Sequence, residues 1–188
     1  MKLVFAGILT LMAFLFVQEH DDVIVWDASR PLTWDDFQGV PQKRFTAAST
    51  SYNIWKAYRR KEQSKLNVEI TAVFLKNKSW KKHGWMNVLV LEHEQKHFDI
   101  AELFARKLRK KMATTSYTSE PDFVSKFNSF YTDNDLEMDV FQDRYDEETD
   151  GSLNGDKQRE WNRHISAELK SLEAYRDKEL IMTINEKL

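Results

Sequence analysis

Between Leu66 and Leu75 the residues Val68, Ile70, Ala72 and Phe74 alternate with Asn67, Glu69, Thr71 and Val73. A period of two is that of a β-strand with one face packed and one exposed, and this is the clearest strand in the chain. Val23-Ile24-Val25-Trp26 reads as a short strand before it, and residues 48–55 are moderately strand-like. Thr33 followed by Asp36 has the form of a capping box, predicting a single helical turn that Gly39 and Pro41 end. From Trp85 the pattern turns helical, with no proline before Pro121, and predicts one long helix over 85–112. Arg109, Lys110 and Lys111 complement the negative end of its dipole. Ser119-Glu120-Pro121-Asp122 is a start signal for a second helix, and Phe123, Phe127 and Phe130 follow at helical spacing. Thr132-Asp133-Asn134-Asp135 is expected to interrupt it before Met138 and Phe141 resume the pattern. Asp150-Gly151-Ser152 and Asn154-Gly155-Asp156 mark a loop, and Trp161, Ile165, Leu169 and Leu172 form the stripe of a last helix. Past Arg176 the pattern favours neither helix nor strand. Strands first and helices after predict an α+β fold: a small N-terminal sheet, a long helix and two or more further helices.

Composition narrows this picture. A chain of 188 residues suits one domain, and an apolar run from Leu3 to Val17 after Lys2 sets residues 1–18 apart as a signal peptide or short leader. The run is shorter than the roughly 20 residues that span a bilayer, so no stable membrane span is expected. An uncleaved anchor is the alternative. The single domain is then 19–188, exported to the periplasm or secreted. Charged residues make up 31% yet the net charge is only -2, which offers no electrostatic case for nucleic acid or an anionic membrane. There is no cysteine, so any bound metal rests on His, Asp and Glu.

Chemistry concentrates in Leu91-Glu92-His93-Glu94-Gln95-Lys96-His97-Phe98-Asp99-Ile100, a His-Glu-x-x-His pattern on the long helix. At about 100° per residue, His93 and His97 lie about 40° apart on one face, one turn apart. Two imidazoles so placed can reach one Zn²⁺, and Glu94 beside them can take a proton from a metal-bound water. The competing reading is a surface helix with two solvated histidines. Apolar Val88–Leu91 before the motif and Phe98 and Ile100 after it argue for burial.

His93 to Glu102 resembles the signature of a bacterial family described as predicted secreted zinc-dependent proteases. Leu32-Thr33-Trp34-Asp35-Asp36-Phe37-Gln38-Gly39 is similar to that family's N-terminal segment. Tyr145-Asp146-Glu147-Glu148-Thr149 is similar to its downstream Tyr-Asp-x-Glu-Thr, and Gln158 with Trp161 to a following Gln-x-x-Trp. The resemblance spans most of the mature chain and implies a zincin-like metallopeptidase acting on a peptide or protein. Relatives often carry a histidine after that threonine, where Asp150, Gly151 and Ser152 stand here.

Catalytic zinc usually takes three protein ligands. The elongated metzincin signature is absent because Leu103 holds its last position. Glu148 is the first candidate for the third ligand and Asp146 the second, with His164 further off. Glu102 and Asp99 point away from the two histidines. Tyr145 is a candidate donor to a developing oxyanion, or else a core aromatic. Trp34, Trp80, Trp85 and Trp161 read as packing residues, and His83 as exposed. Strand 66–75 is expected to offer an edge for an extended peptide. Two functions stay open: zinc-dependent hydrolysis, or an exported binding or envelope-associated module without catalysis. Oligomeric state is left open.

Overall fold

The computed structural model describes residues 22–185, so the expected leader lies outside the described residues. The architecture is mixed α+β, with three α-helices following most of the strands. The strands are β1 (Val23–Val25), β2 (Ala48–Ser49), β3 (Tyr52–Glu62), β4 (Lys65–Leu75), β5 (Trp80–Lys81) and β6 (Glu179–Thr183). The helices are α1 (Val88–Ala113), α2 (Glu120–Thr149) and α3 (Gly155–Ser171).

The alternating run at 66–75 forms the centre of an antiparallel sheet. One side of β4 pairs with β3, from Tyr52↔Phe74 to Glu62↔Lys65. The other side is shared: β1 covers its C-terminal half and β6 its N-terminal half. Both edges of β4 are therefore occupied, and the expected peptide-pairing edge does not exist there. Its second face is not open either. Asn67, Thr71 and Val73 on that face are buried as well, with Trp55 the cross-strand partner of Thr71 and Ile181 that of Asn67.

Leu66, Val68, Ile70, Ala72 and Phe74 turn the first face toward α1, where Phe98, Ala101, Ala105 and Leu108 complete a closed apolar layer. Helices α2 and α3 cover the opposite side of α1. A helix packed on both sides loses the simple amphipathic pattern. That accounts for the polar residues His93, Glu94, His97, Glu102 and Arg109 all being buried on α1.

Helix boundaries follow side-chain caps. Asn87 Oδ1 accepts from the Val90 amide at 3.0 Å, so α1 starts at Val88 and the expected first turn at Trp85 belongs to a short 3₁₀ segment, His83–Trp85. Trp85 is not a packing residue; it is 56% exposed. Ser119 Oγ caps α2 by accepting from the Asp122 amide at 3.2 Å. The expected break at 132–135 is absent. Thr132 Oγ1 instead donates to Asn128 O at 3.1 Å within the helix, and Asn134 is buried against the core.

Helix α2 stops where Asp150, Gly151 and Ser152 all take positive φ, at 49°, 54° and 83°. Three consecutive left-handed residues reverse the chain, and Asn154 caps α3. Beyond Arg176 the chain forms β6, an edge strand whose exposed residues hide its alternation.

Candidate metal centre

His93 and His97 project from successive turns of α1 into the seam between α1, α2 and α3, where they are 4% and 9% exposed. Their Nε2 atoms are 3.1 Å apart. Asp146, from the last turn of α2, places Oδ1 3.0 Å from each of them. The three side chains form a group able to hold a metal ion.

The protonation of both rings follows from their outer partners. Gln142 Nε2 donates to His97 O at 2.9 Å, which leaves Gln142 Oε1 facing His97 Nδ1 at 2.6 Å. Gln158 Nε2 donates to Tyr145 Oη at 2.6 Å and Asn162 Oδ1 at 2.8 Å, which leaves Gln158 Oε1 facing His93 Nδ1 at 3.0 Å. An amide oxygen only accepts, so each Nδ1 carries a proton, and in the neutral tautomer that leaves, Nε2 turns a bare lone pair inward. Two lone pairs and a carboxylate oxygen within 3.1 Å of one another repel unless a cation lies among them. A tetrahedral ion with bonds of about 2.0–2.1 Å sets its ligand atoms about 3.3 Å apart, close to the observed triangle. The donor set and spacing fit a metal.

Burial opposes ionisation of Asp146, but a proton on His93 or His97 Nε2, standing where a metal ion would, is donated to Oδ1, outweighs burial and holds the carboxyl well below its usual range. For His97 burial acts toward the neutral ring, and Asp146 with Glu94 acts the other way and prevails, so its affinity for positive charge is raised.

Glu94 is 4% exposed, and its Oε2 has no hydrogen-bond partner among the described residues. It lines the same cavity as His93, His97 and Asp146, a cleft of about 330 Å³. The segment Thr46–Thr50 with Tyr52 forms another part of the wall. Thr50 Oγ1 donates to Glu94 O at 3.1 Å, tying this wall to α1. Tyr52 lines the cleft, and no hydrogen bond engages its hydroxyl among the described residues. Burial, then the charges of Asp139, Asp146 and Asp143, keep that phenol protonated far above neutral pH.

Of the residues singled out from the sequence, His93, Glu94, His97 and Asp146 come together. Glu148, placed ahead of Asp146 there, does not join them. It lies about 200° around α2 from Asp146, where it accepts from Arg144 Nε at 2.7 Å and Trp161 Nε1 at 3.0 Å. Tyr145 lies against the site but is fully buried, with its hydroxyl donating to His93 O at 3.2 Å and accepting from Gln158. It is the core aromatic, stacked on His93 with centroids 4.7 Å apart, and its hydroxyl is not free for an oxyanion. Asp99 accepts from Trp26 Nε1 and Gln95 Nε2, both at 2.9 Å, and Glu102 from two arginines, so both point away as expected. His164 is exposed beside Phe141 and Trp161.

Gln142 and Tyr52 were not singled out from the sequence. The signal for Gln142 was its spacing: Gln142, Tyr145, Asp146 and Thr149 fall on one helical face.

Comparison with protein-family models, with curated proteins and with solved structures finds no match.

Proposed function

We propose that this protein is a zinc-dependent hydrolase, a metallopeptidase of an exported compartment, with His93, His97 and Asp146 as metal ligands and Glu94 as general base. The single observation that carries the reading is the pair of inward lone pairs on His93 and His97 converging with Asp146 beside an unpartnered, buried glutamate oxygen. A purely structural site has no use for a free carboxylate in its cavity. Nitrogen and oxygen donors with no sulfur suit Zn²⁺, and a zincin-like arrangement with Asp146 as third ligand needs no downstream histidine.

When bound, zinc would polarise the scissile carbonyl and acidify a water molecule. Glu94 Oε2, unengaged by any other group, holds the proton taken from that water and passes it to the departing amide nitrogen. Atoms balance as water adds across the C–N bond, giving a carboxylate and an amine. Tyr52, a protonated phenol without another partner, donates to the substrate oxygen as charge develops on it. Gln142 and Gln158 fix both imidazoles in the tautomer that presents Nε2. Peptides and cell-wall amides share this chemistry; an extended peptide is the simpler fit for a cleft walled by a strand-like segment at 46–52.

The test is Glu94→Gln in protein loaded with one zinc. Retained zinc with hydrolysis of a peptide library reduced by at least about 10³-fold is expected. Undiminished turnover removes Glu94 from the reaction. Zinc bound without turnover by the unaltered protein transfers the reading to a binding module.

A further inference from the structure

A near-neutral chain hides a strong segregation of charge. No Asp or Glu occurs between Asp36 and Glu62, or between Glu69 and Glu92, whereas residues 133–150 hold nine acids against Arg144 alone. Strands β2 and β5 bring the two acid-free segments together, through Ala48↔Lys81 and the Lys82 amide on Ala47 O at 2.8 Å. The basic side of the molecule thereby forms one lip of the cleft and the acidic α2 the other.

That basic lip also carries bare apolar side chains. Phe45 is 102% exposed, Val88 74%, Trp85 56% and Leu89 51%. They sit close together. Lys82 Nζ donates to Arg44 O and stands 5.8 Å from the Trp85 ring, and Asn87 holds Val88 and Leu89 in the first turn of α1 immediately after. Lys43 and Arg44 complete the rim beside His83, and no ion pair engages Lys43, Arg44 or Lys82 among the described residues. Glu92, one turn further along α1, and Asp35 are the nearest exposed acids in sequence.

We propose that the rim of Phe45, Trp85, Val88 and Leu89, with Lys43, Arg44 and Lys82, docks this protein on an anionic lipid surface. Charge complementarity selects the occupant. Apolar tips interleaved with unpaired cations suit the headgroup boundary, where the tips enter the acyl edge and the cations stay with lipid phosphates. The core of a protein interface would instead exclude those charges. Because Arg44 and Thr46 also line the cleft, docking sets its basic lip at the membrane and leaves the acidic α2 lip turned away. On the hydrolase reading, substrates presented at the bilayer surface are then the ones cleaved.

The test reads binding alone. The chain has no cysteine, so Phe45→Cys in the full chain takes a single environment-sensitive fluorophore, and Leu136→Cys on α2 serves as control. Vesicles of phosphatidylglycerol and phosphatidylcholine are expected to shift the emission at position 45 to the blue and leave position 136 unchanged. Pure phosphatidylcholine should act far more weakly. In the Phe45→Cys background, Lys43→Gln with Arg44→Gln should reduce partitioning by about fivefold for each cation removed. A label at 45 that stays in water while the protein sediments with vesicles would assign binding to residues 1–18 and overturn the rim. Equal response to both vesicle types, or none to either, also overturns it. Each result stands whether or not the protein hydrolyses anything.

Discussion

Gln142 holds His97 at two points, accepting from the ring at Nδ1 and donating to the main-chain carbonyl one bond system away. The two contacts lock the imidazole's rotation and its tautomer together. Gln142→Leu keeps the volume and removes both bonds, leaving a buried Nδ1–H without an acceptor. Metal affinity should fall about 10- to 100-fold, as for other residues that orient a ligand from behind. Zinc titration followed by a fluorescent chelator measures it; an unchanged affinity would show that α1 alone aims the ring.

Asp146 and Glu148 separate cleanly by substitution. Asp146→Asn removes the anionic donor from the triangle, and stoichiometric zinc should be lost on gel filtration. Glu148→Gln should retain it, because that carboxylate serves Arg144 and Trp161 at the surface. Metal content by emission spectroscopy decides, and the reverse pattern would return Glu148 to the site. Unaltered protein should also gain thermal stability on zinc addition, about 2.7 kcal/mol at 100 times the dissociation constant.

His93, Glu94 and His97 were legible because one helix carries all three, and helical spacing is a local property. Asp146, the third member of the group, comes from another helix, whose rotation is set by packing. The buried stripe of α2 is Phe123, Phe127, Asn134, Met138, Gln142, Tyr145 and Thr149. Its spacing is regular, but polar residues occupy the half nearest the site, so hydrophobicity alone does not reveal its phase. Reading the phase through those polar positions puts Asp146 at its margin and Glu148 off it. The central strand was legible from alternation. Strand β6 and the outer half of β3 were not, since edge strands with exposed, charged residues owe their conformation to the partner they pair with.

Asp36 gives a prediction about acid stability. Its carboxylate accepts from Arg30 at 2.7 and 3.2 Å and from the Thr33 amide at 2.7 Å. Burial disfavours the charge, but the Arg30 and Thr33 hydrogen bonds prevail and hold the carboxyl below the usual carboxylate range. A depressed pKa contributes stability above the unfolded value, lost as pH falls through the folded one. Arg30 is half-exposed, so about 1–2 kcal/mol is at stake. Asp36→Asn should therefore lower Tm by about 2–8 °C at neutral pH, with the gap closing as pH falls below about 4. Parallel melting curves across the whole pH range would count against this account.

The buried cluster of Glu102, Arg106 and Arg109 yields the largest expected loss of stability. Glu102 Oε1 accepts from Arg106 Nε at 2.9 Å and Arg109 Nη2 at 2.6 Å, while Arg109 Nη1 donates to Arg176 O at 3.0 Å. Arg109 is fully buried, and burial lowers its pKa against the opposing pull of Glu102. Glu102→Leu strands this guanidinium without a counter-charge, which should cost about 3–5 kcal/mol. Adding Arg109→Leu removes the stranded charge along with its partner. The double variant should be more stable than Glu102→Leu alone, although it gives up the bond to Arg176 that holds the approach to β6. Urea titration of the single and double variants measures the coupling. If the double variant loses the sum of the two single losses, Glu102 and Arg109 act independently.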